Sequence, residues 1–332
     1  MIYFSQIVSD FKMKNVGVIC GGFSSEFEIS VLSAKNIQEN FPDEFNACLV
    51  YLQKDGWFVE LDGGKVELNP VDFTFNNGTK KIDIAIVYIH GDPGENGKIQ
   101  AYLEMINVPY VNSGPLASQL SFDKWYCNKF LEGFGYKVAK SEYLTKANQN
   151  LDSDSIIAEL GLPLFVKPCD SGSSYGIAKV KEKDQLQIAV DGAFAEGETV
   201  ILEAFLDGTE VTCGLYRDES GVCALPLTEI VTENDFFDFE AKYQGLSQEI
   251  TPARIDNDIT LEIQKISKEI YELLNLRSLA RIDFMIVGSE PFVIEVNTTP
   301  GFSNESIVPK MIIAEGISMK DFWTRIMKAE LI

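Results

Sequence analysis

Residues 290–306 read EPFVIEVNTTPGFSNES. The first half alternates as a strand does, with Phe292, Ile294 and Val296 on one face and Val293, Glu295 and Asn297 on the other. A carboxylate and an amide therefore share a face at the end of an apolar strand, and Pro300-Gly301 stops it. The run before it, Arg281-Ile282-Asp283-Phe284-Met285, also reads as a strand, with Arg281 and Asp283 opposite Ile282 and Phe284. The linker Gly288-Ser289-Glu290-Pro291 is short enough for a hairpin. An effective loop of three residues puts Asp283 opposite Glu295 and Arg281 opposite Asn297, whereas an even loop puts them on opposite faces. The linker does not choose between the two. If the acids share a face beside Val293, Met285 and Val287, two close carboxylates repel and a divalent cation relieves them. Hard oxygen ligands without Cys or His suit magnesium or manganese. The alternative is a solvated strand face on which Arg281 neutralises one acid.

Outside this hairpin, 332 residues are enough for two or three domains or subdomains with real cores. A content of 45% hydrophobic and 23% charged residues places the chain among soluble globular proteins. The formal net charge of -22 repels nucleic acid and anionic membrane. A phosphate ligand must then be held by local Lys, Arg, backbone amides or a bridging cation. His90 is the only histidine, which excludes a Ser-His-Asp triad elsewhere and the HExxH zinc motif. Six cysteines without a CxxC pair read as reduced, mostly buried thiols of a cytosolic protein. No signal peptide and no run of roughly 20 apolar residues is visible, so a cytoplasmic location is expected. Residues 1–12 read as a loose extension before KNVGVICGG.

Three lobes follow from the pattern. In residues 1–112, NVGVIC reads as a buried strand, GGFSSE as a Gly-rich turn and residues 26–40 as a helix, with Ser25 and Glu28 spaced as a capping box. The runs FNACLVYL and IDIAIVYI read as further strands, the second followed by HGDPGENG and a helical KIQAYLEMI. Strand, loop and helix in alternation predict a small parallel-sheet domain with anion-binding potential at the helix N-terminus. NSGPLAS punctuates the chain, and residues 113–202 read as a mixed unit with a helix near SFDKWYCNKFLEGFG, strands LPLFVKP, YGIAKV and TVILEAFL, and a helical DQLQIAVDGAF. Residues 203–332 hold strands EVTCGLY and VCALPLTEIV. A long polar stretch at about 229–254 reads as a lid loop. An amphipathic helix in ITLEIQKISKEIYELLNL and the hairpin described above complete this lobe.

In LFVKPCDSGSSYGIAKV, residues 164–180, a strand ends in Lys167 and a Gly/Ser loop follows before the next strand. Amides and hydroxyls of such a loop can cover a triphosphate, and Lys167 offers a point charge. The GxxxxGK[ST] pattern is absent, so this is a hairpin cover, or an ordinary Gly/Ser loop. Lys124 in SFDKW is a second candidate cation or a surface lysine. His90 follows a predicted strand at the ligand side of an open sheet, as a substrate-pocket helper or a structurally satisfied histidine.

Taken in order, GGFSSEFEIS, YIHGDPGENG, SFDKW, LFVKPCDSGSSYG, EAKY, RIDF and IEVNTTPGFSNES resemble the motifs of the D-alanine–D-alanine ligases, of the ATP-grasp fold, from about Gly21 to Ser306. The resemblance implies an α/β (α+β) molecule of three lobes, with ATP and two Mg2+ (or Mn2+) held between the middle and last. It implies ATP-dependent ligation of two D-alanines through an acyl phosphate for peptidoglycan, and a homodimer. It assigns Asp283, Glu295 and Asn297 to the metal ions, and Lys124, Lys167 and Lys242 to the phosphates. Glu203, with the backbone at Phe205 and Leu206, falls at the adenine edge and Glu210 at the ribose. Arg281 and the Gly301 amide fall at the oxyanion, Glu26 at the first substrate's ammonium, and His90 and Ser306 at the substrates. Ser173 and Tyr243 link to Glu26 in closing the lid, and Tyr243 in EAKY favours an amine nucleophile, with a D-alanine–D-lactate or other ATP-grasp carboxylate ligase as the alternative. The sequence departs from the family pattern at Ser171, at Asn96 and at Glu305, where a histidine is common. Glu305 adds negative charge near the second substrate's carboxylate unless it points away.

Overall fold

The computed structural model describes residues 13–148, 151–170, 176–232 and 247–331. Three sheets organise it. In the first, strand Lys14–Gly21 lies between Phe45–Gln53 and Ile84–Val87, parallel to both, and Tyr110–Val111 extends the parallel part. Seven of the eight residues of the central strand are buried, because helix Phe27–Glu39 covers one face and helix Lys98–Met105 belongs to the same domain.

Beyond Phe45–Gln53 the sheet continues with antiparallel strands Gly56–Leu61, Gly64–Asn69, Thr74–Phe75 and Lys80–Lys81, so the expected parallel domain is a mixed eight-stranded sheet. The signal was present in the turns Asp55-Gly56 and Asp62-Gly63, each between short β-type runs.

The second sheet is antiparallel, in the order Ala178–Val180, Leu164–Pro168, Thr199–Ala204, Ser141–Thr145. Leu164, Val166, Val180, Val200 and Leu202 form a core with Leu186, Val190 and Ala193 of helix Leu186–Glu196. Phe165, Lys167 and Glu203 take the opposite face by strand alternation.

The third sheet is also antiparallel, in the order Ser247–Ile250, Thr228–Thr232, Thr209–Asp218, Leu279–Val287, Glu290–Asn297, with Gly221–Ala224 paired to Thr209–Asp218. The run VCALPLTEIV is therefore two strands broken at Leu225-Pro226-Leu227, where proline has no N–H to donate. Ala280, Ile282, Phe284 and Ile286 enter a core with helices Pro115–Phe122, Lys124–Gly133 and Asn257–Leu273. NSGPLAS is thus no mere punctuation, for Pro115 opens a helix. The stretch 229–254 begins and ends in paired strands, Glu229 opposite Ile250. Its middle, with Lys242 and Tyr243, lies outside the described residues, as do Ser173 and residues 1–12.

Helices Ile307–Ala314 and Met319–Glu330, which the periodicity reading left out, carry Met311, Phe322, Trp323, Ile326 and Met327 into one core. That core also holds Val18, Ile86 and Tyr88 of the first sheet and Tyr216 and Leu279 of the third. The five cysteines Cys20, Cys48, Cys127, Cys169 and Cys213 are buried, Cys223 is half-buried, and all six are free thiols. Burial pushes the first five up to about 12, so they are inert at neutral pH.

Candidate active site

The hairpin of residues 279–297 resolves the parity question in an unexpected way. Its turn is even: Val287 pairs with Glu290 across Gly288-Ser289, and Phe284 pairs with Val293. Continued regularly, that ladder would place Ile294 opposite Asp283. A β-bulge at this point takes Ile294 out of register, and Asp283 pairs with Glu295 and Arg281 with Asn297. The same bulge overturns the strict alternation expected for the strand, because Val293 and Val296 now point into the same core. Arg281, Asp283, Met285 and Glu295 face a cleft.

Asp283 is buried and accepts hydrogen bonds from Thr212 Oγ1 at 2.5 Å, Arg281 Nε at 2.8 Å and Arg281 NH2 at 2.7 Å. Asn297 Nδ2 lies 3.3 Å from Asp283 Oδ2 and 3.4 Å from Glu295 Oε1. Lys124 Nζ is 3.5 Å and Arg281 NH2 3.9 Å from the Glu295 carboxylate. Burial alone would lower the Arg281 guanidinium's pKa, but Asp283 and then Glu295 hold it above its ordinary range. Arg281 thus neutralises Asp283 in this structure, and the two acids share a face as well. Asp283, Glu295 and Asn297 lie together, with Asn297 Nδ2 toward both acids, and their carboxylate and amide oxygens are the hard donors that suit magnesium or manganese. Among the described residues no group of three or more His, Cys, Asp or Glu is arranged to hold a metal, so a metal here would rest on two carboxylates, an amide and the ligand's own oxygens.

The cleft has a volume of about 410 Å³ and lies between the second and third sheets. The second sheet contributes Phe165, Lys167 and Glu203; Phe205, Leu206 and Glu210 line it along the crossing into the third sheet, and Lys124 closes one end. Lys167 donates to Glu203 Oε2 at 2.6 Å, and Asn128 Nδ2 donates to Glu203 Oε1 at 3.1 Å. Burial pulls the Lys167 ammonium's pKa down, but Glu203 outweighs it, so Lys167 stays charged. Asn128 has no counterpart in the sequence reading, and its place on the buried side of helix Lys124–Gly133 is a 3.6-residue periodicity signal one turn from Lys124.

Glu26 and His90 sit at the carboxyl ends of adjacent parallel strands, where open α/β sheets bind ligands. Glu26 stands at the N-cap of helix Phe27–Glu39 with no side-chain cap bond, so the expected capping box does not form. Instead Ser24 Oγ accepts from Glu26 N at 3.3 Å and donates to the His90 carbonyl at 2.9 Å. A Cβ at Gly91, where φ is +70, would stand 3.3 Å from Glu26 Oε2. The His90 ring is buried against Ser33 Oγ at 3.2 Å and bonds to the Thr299 backbone. Its pKa is lowered, first by burial, while Glu26 opposes the change. His90 thus makes both its ring contacts inside the protein.

Ser306 begins helix Ile307–Ala314, and its Oγ accepts from Ser303 N at 3.0 Å. A Cβ at Gly301 would lie 3.0 Å from this Oγ. Glu305 is exposed, so its charge faces solvent.

Two antiparallel sheets closing on a cleft with lysine on one wall and acids on the other, joined to a domain with a parallel core, are the ATP-grasp architecture. Family models described as the D-ala D-ala ligase N-terminus and C-terminus match residues 15–113 and 130–328. A D-alanine–D-alanine ligase of Parabacteroides distasonis is 44% identical, over 96% of this chain and 98% of its own. Among solved structures, the VanG D-Ala:D-Ser ligase from Enterococcus faecalis superposes with a TM-score of 0.85 at 30% identity, covering 96% of this chain and 100% of that one. A D-alanine–D-alanine ligase from Bacillus anthracis complexed with ATP gives a TM-score of 0.78 at 28% identity, covering 96% and 97%. The chain belongs to the D-alanine–D-alanine ligase family.

Proposed function

We propose that this chain joins two D-alanines to D-alanyl-D-alanine for peptidoglycan, with ATP as the activating reagent. The observation that carries the reading is the cleft itself, where Lys167 and Glu203 on one sheet face Arg281, Asp283 and Glu295 on the other. A carboxylate oxygen of the first D-alanine attacks the γ-phosphorus, the bond to ADP breaks, and an acyl phosphate forms. The amine of the second attacks the carbonyl carbon, a proton is lost, and inorganic phosphate leaves.

Each residue has a task in this scheme. Glu203 accepts from the adenine amino group, the backbone at Phe205 and Leu206 lies along the same edge, and Glu210 bonds the ribose hydroxyls. Lys124 and Lys167 contact the phosphates. Asp283, Glu295 and Asn297 would hold two Mg2+ or Mn2+ ions, which when bound offset the charge of the phosphates. Glu26 pairs with the first ammonium, Arg281 and the Gly301 N–H meet the oxyanion, and Ser306 binds the second carboxylate. His90 acts from behind the substrates, through Ser33 and Thr299. On the sequence alone, Lys242 serves the γ-phosphate, and Ser173 and Tyr243 close the site over Glu26, which keeps water from the acyl phosphate.

The lobes of this scheme are residues 1–112, 113–202 and 203–332. The molecule is proposed to act as a cytoplasmic homodimer without nucleic-acid or membrane partners. No helix among the described residues is long and apolar enough to cross a membrane.

The test is phosphate release from Mg-ATP with D-Ala, L-Ala, D-Ser, D-lactate or no acceptor, with the product identified by mass. Release that requires D-Ala and yields the dipeptide is expected. A mixed D-Ala–D-Ser or D-Ala–D-lactate product would overturn the substrate and keep the chemistry, and no D-Ala-dependent release from ATP-binding protein would overturn both.

A further inference from the structure

The segment after Asn297 carries the Gly301 amide, yet no sheet ladder holds it. Its partners come from the N-terminal domain, more than two hundred residues away in sequence. Tyr88 Oη donates to the Pro300 carbonyl at 2.8 Å. Ser33 Oγ accepts the Phe302 N–H at 3.1 Å, and Asn36 Nδ2 donates to the Phe302 carbonyl at 2.7 Å. Ser33, Asn36 and Tyr88 are all buried, at 0%, 4% and 1% exposure. The Gly301 N–H between these anchored groups has no acceptor among the described residues, and Gly301 itself is half-exposed.

We propose that Ser33, Asn36 and Tyr88 are positioning residues for the ligation: they clamp Pro300 and Phe302 so that the Gly301 N–H is held toward the oxyanion. This rests on the reading of Gly301 given above. Buried backbone groups require partners. Here those partners are side chains on strand and helix elements of another domain, so the peptide's orientation is set by how that domain docks. The Ser33 hydroxyl does two things at once. It accepts the Phe302 N–H and shares a hydrogen bond with His90 Nε2, 3.2 Å away. The His90 ring also bonds to the Thr299 backbone, a third point on the same segment. The Tyr88 ring stands edge-on to both His90 and Phe302, at 5.9 Å and 6.0 Å. A donor aimed in advance at developing charge acts on the transition state and leaves ground-state binding nearly unchanged.

The experiment uses the full chain with Tyr88→Phe, which deletes one hydroxyl, and the pair Ser33→Ala and Ser33→Thr. It measures kcat, KM for ATP and D-Ala, thermal unfolding, and affinity for a phosphinate mimic of the tetrahedral adduct. Tyr88→Phe and Ser33→Ala should lower kcat by about tenfold to a hundredfold and weaken the phosphinate by a similar factor, with KM for ATP unchanged. Ser33→Thr, which keeps the hydroxyl, should restore both. Unchanged kcat and phosphinate affinity in Tyr88→Phe and Ser33→Ala would overturn the proposal, and so would losses of ATP and D-Ala binding with kcat unchanged. Should Ser33→Ala fail to fold, Tyr88→Phe decides alone. Wild-type protein that neither turns over D-Ala nor binds the phosphinate would instead overturn the functional reading beneath it.

Discussion

At Asp283, four bonds from three side chains meet one carboxylate: Thr212, both arms of Arg281, and Asn297. Glu295 is half-buried, with Lys124 Nζ at 3.5 Å and Arg281 NH2 at 3.9 Å from its carboxylate. The two acids should therefore respond differently to neutral isosteres. Glu295→Gln should lose most turnover with little change in unfolding temperature. Asp283→Asn should lose turnover and also about 1–3 kcal/mol of stability, since it leaves Arg281 short of its partner. Rates near wild type for either at saturating Mg2+ would refute the metal assignment.

Glu95 offers a separate titration. Burial first, then the charge of Glu26, raises its carboxyl from 4.5 to about 8, while the Gly91 N–H, 2.8 Å from Oε2, works the other way. Between those values the folded state keeps a proton that the unfolded state releases, so this group's contribution falls as pH rises through the window and levels off above about 8. Glu95→Gln should flatten that part of the profile, which urea midpoints measured across the window will show; parallel wild-type and variant profiles would count against it.

Among elements, the hairpin of residues 279–297 depends on one extra residue. With an even turn, a regular ladder would set Glu295 opposite Ile282, on the core face. Ile294, bulged out, corrects the parity. Deleting Ile294 should remove the bulge and still leave Glu295 opposite Asp283, so the protein should fold and keep measurable Mg-dependent turnover. Deleting Val296 should turn Glu295 onto the core face and abolish it. Equal loss in both deletions, measured by phosphate release and circular dichroism, would mean that the bulge's bend matters as much as its count.

Over the whole molecule, two kinds of core stand side by side. The second sheet buries its apolar face against helices Ser153–Leu160 and Leu186–Glu196. The C-terminal helices, by contrast, fuse the first and third sheets through Trp323, Phe322 and Phe302. Arg277 adds a polar tie, pairing with Glu330 and donating to the Tyr110 carbonyl at 3.1 Å. Trp323→Ala should cost about 3–5 kcal/mol and loosen the N-terminal domain together with the Gly301 segment. Trp323→Phe should cost less, because among the described residues the buried indole N–H has no partner to lose. Denaturant melts of the two variants give the comparison, and an equal cost would locate the effect elsewhere.

Much of this was legible along the chain. Period-two alternation placed Arg281 and Asp283 together, a strand ending in Lys167 was readable before its Gly/Ser loop, and ordered motifs named the family, because local spacing and residue chemistry are written in sequence. The antiparallel extension of the first sheet was signalled by two Asp-Gly turns, but short strands with weak alternation rank below the long buried runs beside them. What the sequence could not decide was how distant segments meet. A bulge forms only when a ladder must satisfy a turn at one end and a buried face at the other. The grip of Ser33, Asn36 and Tyr88 on residues 300–302 joins segments more than two hundred residues apart, in domains that share a core with the C-terminal helices. Those are long-range packing outcomes, so the tertiary structure alone settled them.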